Sequence, residues 1–427
     1  MLARALAAEG LRAVAAGYDP MALRLALQDG VAGVVSELRR MALSVRGRVD
    51  YERIATISAN GESELGATIA EAFDTVGIDG VVSVEGGGAF ETTWEKLSGL
   101  QWEGGYVSPY FMTDASTTEC RYDNPLILLT EHTLESHTPL LKPLEAAVRA
   151  NRPLLIVAEA VRGEALQTLA VNKIKNNLRV VAGKGPLFGD RRRDALEDVA
   201  LLTGATLVSE RRGDDLSVID AGVLGGAARI MLTKDTTTII GGAGDLAAVE
   251  RRADSIRAEQ GLEGNTPFQE KTLRERLAKL TGGVAVVRVG GASEVEINER
   301  RDRAEDAASA VRAAAIDGIL PGGGAAYIHA CRVLTDDSTG EQRAAARILR
   351  QALASPAMRI AENAGHDGHM VSAALAELRN PHHGFDAHNG CYGDLLQTGV
   401  VDPARVTIAA LEAANSVAAL FLTTETV

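Results

Sequence analysis

The chain has 427 residues and a formal net charge of −13, with 46% hydrophobic and 24% charged residues. This length predicts two or three domains with a substantial core, and the composition is that of a globular protein. The acidic balance argues against general binding to nucleic acid or to anionic membranes.

The cysteine pattern and the N-terminal sequence are both typical of a cytoplasmic protein. The three cysteines are widely spaced and form no Cys-x-x-Cys pair, which is typical of a protein in a reducing environment. Arg4, Glu9 and Arg12 interrupt any apolar core of a signal peptide. No apolar run approaches the length of a membrane span. We therefore expect a cytoplasmic protein with no membrane partner.

The chain opens with helical sequence. Residues 1–16 show apolar helical spacing but have no capping residue before them. Asp19 is predicted to cap a second helix, with Pro20 at its first position, that runs to about Met41.

From about residue 97 to residue 283 the pattern changes to alternating strands and helices. Short apolar or β-branched runs predict buried strands at residues 154–158, 179–182 and 206–209. Helical sequence at 163–175 and 192–203 separates them, as in βαβ units. A further strand pair is predicted at residues 228–232 and 236–240, followed by helices at 246–259 and 269–280 and a strand at 284–289. Because Ala-rich helical sequence flanks this block, we expect an α/β domain inserted into a helical one.

Residues 304–327 combine a helical pattern with a glycine turn. Asp306 is placed in the first turn of the helix, where the dipole favours a carboxylate, and Gly318 is predicted to end it. Pro321 and three glycines then open a second helix through Ala330. Such a turn either packs tightly between two helices or offers free amides to an anion.

The motifs along the chain resemble those of the group I chaperonins, the GroEL family. They occur in family order across essentially the whole chain, at residues 10–17, 56–60, 105–111, 188–192, 234–239, 282–286, 322–324, 402–403 and 423–425.

This resemblance implies a mixed α/β multidomain protein. A mainly helical equatorial ATP-binding domain would comprise residues 1–40 and 317–427. A small intermediate hinge domain would comprise residues 41–97 and 284–316, through which an α/β apical polypeptide-binding domain, residues 98–283, is inserted. The family uses ATP and Mg²⁺, binds non-native polypeptides, assembles into homo-oligomeric rings and is closed by a co-chaperonin lid.

The resemblance also assigns nucleotide-site residues. Asp306 matches the catalytic carboxylate that activates water for attack on the ATP γ-phosphate, although its position on a helix is also explained by the dipole. The nucleotide-contacting positions match Ile57, Ser58, Gly323, Asp386, Ala387, Val400 and Asp402. The family usually has Asn where Asp386 stands. Because an ionised Asp cannot donate a hydrogen bond, we expect altered adenine recognition there.

A second set of residues matches the polypeptide-binding face of the family. Its members are Tyr106, Ser108, Tyr110, Phe111, Leu141, Leu144, Leu166, Ala170 and Val171. Two amphipathic helices with an apolar groove bind many sequences, while ordinary core packing explains the same residues. Ala170 is smaller than the Val of the family, and Pro143 is expected to break the chain beside Leu144.

A histidine-rich segment raises the question of a metal site. His382, His383, His388 and Cys391 are close in sequence, and such side chains bind Zn²⁺ or Ni²⁺. Their spacing fits no closed-site template, so we expect no metal site.

The family segment with the phosphate loop, the Mg²⁺-binding Asp and one catalytic Asp normally lies just before the helix that begins here at Met1. On this basis we expect the chain as given to hydrolyse ATP poorly or not at all.

Three functions remain open at this point. The first is an ATP-dependent folding chaperonin. The second is an ATP-independent holdase-like protein or a degenerate paralogue. The third is an unrelated nucleotide-dependent enzyme, against which the α/β block shows no Gly-x-Gly-x-x-Gly fingerprint or Lys-bearing phosphate loop.

Overall fold

The computed structural model describes residues 1–424, apart from residues 46, 79, 88, 116, 217–219, 262–265 and 336–339. The helices are α1 (Leu2–Ala15), α2 (Pro20–Met41), α3 (Gly47–Ser58), α4 (Ser63–Val76), α5 (Leu141–Ala150), α6 (Gly163–Asn176), α7 (Asp190–Thr203), α8 (Leu246–Gln260), α9 (Pro267–Gly282), α10 (Glu294–Asp317), α11 (Ala325–Ala330), α12 (Glu341–Asn363), α13 (Gly368–Glu377), α14 (Leu395–Thr398) and α15 (Ala404–Thr423). The strands are β1 (Val81–Gly86), β2 (Thr93–Leu97), β3 (Gly99–Glu103), β4 (Cys120–Asp123), β5 (Leu126–Leu129), β6 (Thr133–Leu134), β7 (Leu154–Ala158), β8 (Ala160–Val161), β9 (Val180–Lys184), β10 (Gly225–Leu232), β11 (Thr236–Gly242), β12 (Val284–Val289), β13 (Ile319–Pro321), β14 (His383–Asp386), β15 (Cys391–Asp394) and β16 (Val401–Pro403). The last residue of the predicted motif at 423–425 lies outside the described residues.

The chain forms two compact units. The first comprises Met1–Asp74, Val84–Thr93 and Arg288–Val427, and the second comprises Thr75–Ser83 and Trp94–Val287. The mixed α/β class is confirmed, whereas the division into three domains stays a prediction.

The first unit is built around a helical core. Helices α1, α2, α12 and α15 pack on one another and bury side chains such as Leu6, Leu27, Leu349 and Leu411. The start of α2 is as predicted, because the Asp19 carboxylate accepts a hydrogen bond from the amide of Ala22 at 2.7 Å and Pro20 follows at the first position.

The position of Asp306 within its helix differs from the expectation. Helix α10 begins at Glu294, with Ser293 as its cap, so Asp306 lies in the middle of the helix and not in its first turn. The prediction failed because apolar spacing begins only at Ala304, whereas the preceding charged turns are stabilised by the cap and by ion pairs such as that between Arg300 and Glu62. The predicted end is confirmed, since Gly318 follows the helix with φ +84°.

The second unit contains a seven-stranded sheet with the order β3-β11-β10-β5-β7-β9, to which β4 adds by pairing with β10. Strands β5, β7 and β9 are parallel, and α6 connects β7 to β9 as predicted. Strands β10 and β11 form the predicted antiparallel pair. The core between this sheet and its helices buries residues such as Ile127, Ile156, Val181 and Ile230.

The strand predicted at residues 206–209 is not formed. Only a single bridge joins Val208 to Thr130, and the amide of Thr206 donates instead to the carbonyl of Val223 at 2.9 Å. The segment is apolar and buried, as a strand would be. It does not extend the ladder because its backbone hydrogen bonds go to two different neighbours, the end of β5 at Val208 and the carbonyl of Val223 at Thr206.

Helix α15 contradicts the expectation about apolar runs. It has 20 residues with a mean hydropathy of 1.6, which by length and composition alone is enough to cross a membrane. In the structure one face of the helix, which includes Ile408, Leu411 and Leu422, packs on α1 and α2 in the core of the first unit, whereas Val406, Leu420 and Phe421 are exposed. Core helices of soluble proteins pass the same test of length and composition. The sequence expectation was wrong because Arg405 and Glu412 interrupt the apolar run, although the residues around them keep the mean hydropathy high.

A buried ion-pair network stabilises the second unit. The Asp198 carboxylate, 7% exposed, accepts hydrogen bonds from Arg276 at 2.8 and 3.0 Å and from Arg252 at 2.9 Å. Arg276 is itself buried, so the Asp198 carboxylate is needed to stabilise its positive charge.

We expect Asp198→Ala to lower the free energy of unfolding of this unit by about 3 kcal/mol, because it leaves Arg276 buried without its main partner. Both tryptophans, Trp94 and Trp102, belong to this unit, so tryptophan fluorescence during urea unfolding reports on it. The matched control is Asp254→Ala, which removes an exposed pair with Arg257 and should cost less than about 1 kcal/mol. Equal losses in the two variants would contradict the buried role of Asp198.

Candidate functional site

The candidate nucleotide site of the first unit is centred on a short antiparallel ladder. Strand β13 pairs with β16 so that Leu320 lies opposite Asp402. Beyond the strands, the amide of Gly322 donates to the carbonyl of Val400 at 2.9 Å. This pairing brings together the candidates Gly323, Val400 and Asp402 from two distant parts of the chain.

The triple-glycine turn is held by close packing. Gly323 and Gly324 have φ of +62° and +78°, in the left-handed region that favours glycine. A Cβ atom on Gly324 would lie 2.6 Å from the amide nitrogen of Ala357 in α12. The packing interpretation of the turn is therefore confirmed, while contact with an anion stays a prediction.

Asp402 lies in a poorly solvated position beside this turn. Burial raises the pKa of Asp402 to about 6. Burial and the nearby Asp402 raise the pKa of Tyr327 to about 12, and the Tyr327 hydroxyl donates to the carbonyl of Thr407 at 2.7 Å. The phenol is therefore neutral, and Asp402 accepts hydrogen bonds as a full carboxylate only above about pH 6.

Asp386 and Ala387 lie on the other side of the glycine turn. The carbonyl oxygen of Phe385 is 3.5 Å from where a Cβ of Gly323 would stand, and Ala387 packs against the apolar cluster around Phe385.

The Asp386 carboxylate is occupied by its own hairpin. It accepts from the side chain of Asn389 at 2.7 Å and from the amides of His388 and Asn389 at 3.0 and 3.2 Å. Burial raises the pKa of Asp386, but these hydrogen bonds together outweigh it and leave the pKa below its ordinary value. Asp386 thus stabilises the loop as an anion.

The remaining nucleotide-site candidates lie on neighbouring helices. Ile57 is 39% exposed and Ser58 is half-buried at the end of α3, which packs on α10 and β16. Asp306 is exposed on α10, about 18 Å along the helix axis from Gly318 at 1.5 Å per residue. The role of Asp306 beside the nucleotide stays a prediction.

The histidine-rich segment makes other contacts. The ring of His366 packs edge-on against Phe385, with 5.0 Å between ring centroids, and the carbonyl of His383 is 2.7 Å from Nε2 of His329. Sequence analysis missed His329, which is buried in α11 and whose pKa is lowered chiefly by burial. Among the described residues, no three His, Cys, Asp or Glu side chains are placed to hold a metal ion.

The candidate polypeptide site of the second unit lies on α5 and α6. Helix α5 connects β5 to β7, and α6 connects β7 to the next parallel strand, β9. Because parallel crossovers are right-handed, both helices lie on the same face of the sheet.

These helices expose several apolar side chains. Leu141 and Val171 are 46% and 48% exposed. Val148 and Ile174, which sequence analysis missed, are each 62% exposed, and the signal was their helical spacing from Leu144 and Val171. We define the apolar face as Leu141, Leu144, Val148, Leu166, Val171 and Ile174, of which Leu144 and Leu166 are half-buried.

Other predicted members of this site are core residues. Phe111 is fully buried, Tyr106 is 7% exposed and Ala170 is 8% exposed. The core-packing interpretation is therefore correct for these three side chains. Tyr110 is 64% exposed, and its amide donates to the buried Ser108 hydroxyl at 3.4 Å.

Pro143 does not break the chain as expected. It lies in the first turn of α5, directly after the 3₁₀ turn Thr138–Leu140. An amide at this position has no partner within the helix, so proline is tolerated there.

Comparison with known proteins identifies the class of protein. The model of the TCP-1/cpn60 chaperonin family matches residues 1–427, and the chain belongs to this family. The chain is 45% identical over 429 residues to "Chaperonin GroEL 2" of Cereibacter sphaeroides, an alignment that covers 100% of this chain and 79% of that protein. The resemblance to group I chaperonins is confirmed, and with it a role as a chaperone in protein folding.

We expect the carboxyl of Asp402 to titrate near pH 6 and not near the ordinary value of about 4. Because the folded state holds this proton more tightly than the unfolded chain, its stabilising contribution is present below about pH 4 and is lost as the pH rises to about 6. Carbon-13 NMR of Asp carboxyls measures the midpoint, with Asp402→Asn identifying the resonance. Asp386, identified by Asp386→Asn, should titrate below its ordinary range. A midpoint near 4 for Asp402 would show that it is well solvated.

Proposed function

We propose that this chain is an ATP-dependent molecular chaperone that binds non-native polypeptides and promotes their folding inside a ring cavity. The observation that carries the proposal is the apolar face on α5 and α6. Four of its side chains are between 46% and 62% exposed on helices supported by a parallel sheet. Such a face binds apolar segments of many sequences.

We propose further that identical chains form the ring and that a co-chaperonin lid closes it. Family membership and the GroEL relative support this assembly. The proposed location is the cytoplasm, with no nucleic acid or membrane as partner, in keeping with the net charge of −13.

The residues around the glycine turn fit a nucleotide. Residues 322–324 carry no side chains that would exclude a ligand from their backbone, and Asp402 and Val400 lie beside them. We propose that Asp402 accepts hydrogen bonds from the ribose hydroxyls and that Val400 contacts adenine. Asp386 is already hydrogen-bonded within its hairpin, so we propose that it shapes this side of the pocket together with Ala387. Ile57 and Ser58 are proposed to contact the nucleotide from α3.

Mg²⁺ is proposed on family resemblance alone. Among the described residues there is no three-residue ligand cluster, although Mg²⁺ at nucleotide sites is commonly held by one or two carboxylates together with phosphates. Bound Mg²⁺ would offset phosphate charge during hydrolysis.

Asp306 is proposed as the residue that orients and deprotonates the attacking water. Its carboxylate is exposed on α10, and we propose that a conformational step brings this helix to the bound nucleotide.

If the apolar face binds polypeptides, a charged side chain placed on it should weaken that binding. We expect Val171→Glu to weaken the capture of an unfolded test protein about tenfold, because burying a carboxylate opposes apolar contact. The measurement is light scattering of the aggregating test protein at several chaperone concentrations. Val295→Glu, at a position 78% exposed in the other unit, is the matched control. Equal activity of both variants would locate polypeptide binding elsewhere.

The catalytic proposal predicts a selective loss in Asp306→Asn. The sequence predicts low turnover, so the phosphate release that the unaltered chain does show is the reference. That release should fall at least about 100-fold, as for removal of a general base, while ATP affinity measured by calorimetry stays unchanged. Asp302→Asn, one turn earlier and also exposed, should keep normal turnover. Suppression of aggregation by the unaltered chain without any ATP binding would favour ATP-independent holding instead.

A further inference from the structure

We propose that Lys173 is a positioning residue that locks the 3₁₀ turn Pro109–Phe111 against α6 and so fixes the exposed Tyr110 beside the apolar face. This inference rests on the proposed polypeptide binding, which it deepens by assigning a residue outside the predicted set.

The contacts of Lys173 all converge on this turn and its surroundings. Its ammonium group donates a hydrogen bond to the main-chain carbonyl of Phe111. The same nitrogen lies 6.0 Å from the ring centroid of Phe111 and 5.3 Å from that of Tyr122. Both distances are in the range of cation–π attraction, which is about 6 Å.

Partial burial strengthens the contacts that the Lys173 ammonium group makes. Lys173 is half-buried, and burial lowers the pKa of its ammonium group. The neighbouring Cys120 thiol is fully buried, and burial raises its pKa to about 12, so it is neutral. Among the described residues no carboxylate pairs with Lys173, so the carbonyl of Phe111 and the two rings compensate its charge.

The backbone hydrogen bonds of the turn do not reach α6. They run from the amide of Phe111 to the carbonyl of Ser108 and from the amide of Met112 to the carbonyl of Pro109, each at 3.1 Å. Both stay within the turn and do not attach it to α6. The bond from Lys173 adds an attachment to α6, beside the packing of the buried Phe111 ring.

The location of Lys173 connects the turn to polypeptide binding. It lies on α6 between Val171 and Ile174, two exposed residues of the apolar face, and the turn packs on this helix. The buried Phe111 ring and the lysine hold the turn from two sides. Tyr110, which is 64% exposed, is then held in one position. Less conformational entropy is therefore lost when a polypeptide binds to it.

The experiment compares Lys173→Met, which keeps the apolar stem, with Lys173→Arg, which keeps a cation that can donate to a carbonyl. Lys175→Met is the matched control, because Lys175 is exposed in the last turn of the same helix. Hydrogen exchange by mass spectrometry follows residues 106–113, with residues 154–158 of β7 as an internal reference. Fluorescence anisotropy measures the Kd for a short labelled amphipathic peptide of Leu, Trp and Ser.

We expect Lys173→Met to speed exchange in residues 106–113 about tenfold and to weaken peptide binding about threefold to tenfold, as for loss of one charged hydrogen bond. Exchange in β7 should not change, Lys173→Arg should restore both values, and Lys175→Met should match the unaltered chain. If Lys173→Met does not fold by tryptophan fluorescence, Lys173→Gln replaces it, with the same direction of change.

Unchanged exchange in residues 106–113 would overturn the lock. Faster exchange with unchanged peptide affinity would overturn the positioning role. If the unaltered chain binds no peptide, the proposed polypeptide binding fails, whereas the exchange data still decide whether Lys173 holds the turn.

Discussion

The first unit depends on the pairing of three short chain segments. Ile319 exchanges backbone hydrogen bonds with Leu43, both at 2.9 Å, and lies opposite Pro403 on its other side. Helices α2, α10 and α15 end or begin within a few residues of this ladder, and α11 follows it after the glycine turn. A small number of main-chain bonds therefore sets the positions of four helix ends and of the candidate nucleotide residues among them.

Two carboxyl groups near this ladder, those of Asp386 and Asp402, have their pKa values shifted in opposite directions by their surroundings. Asp386 accepts three hydrogen bonds from its own hairpin, which keep it ionised despite burial. At Asp402 burial is not offset in this way, and it raises the pKa to about 6. One carboxylate therefore stabilises the loop that carries it, and the other is the one that we propose as a ligand contact.

In the candidate polypeptide site of the second unit, some side chains are buried and support the surface, and others are exposed on it. Phe111 and Tyr106 are buried and anchor the segment that precedes the helices, whereas Tyr110, Val171 and Ile174 remain exposed. Exposed apolar side chains are useful for binding varied polypeptides only when the scaffold beneath them is fixed. The parallel strands under α5 and α6 provide that fixed scaffold.

The sequence by itself determined the family, the positions of several helices and the strands β7, β9, β10, β11 and β12 of the structure, and it predicted the chain segments of each candidate site. These features depend on local signals such as the Asp19 cap, apolar periodicity and ordered motifs. Only the tertiary structure decided that Asp306 lies mid-helix, that Phe111 is core while Ile174 is surface, and that Asp386 bonds to its own hairpin. The physical reason is that burial and hydrogen-bond partners are set by residues distant in the chain or by turn geometry, which periodicity does not encode.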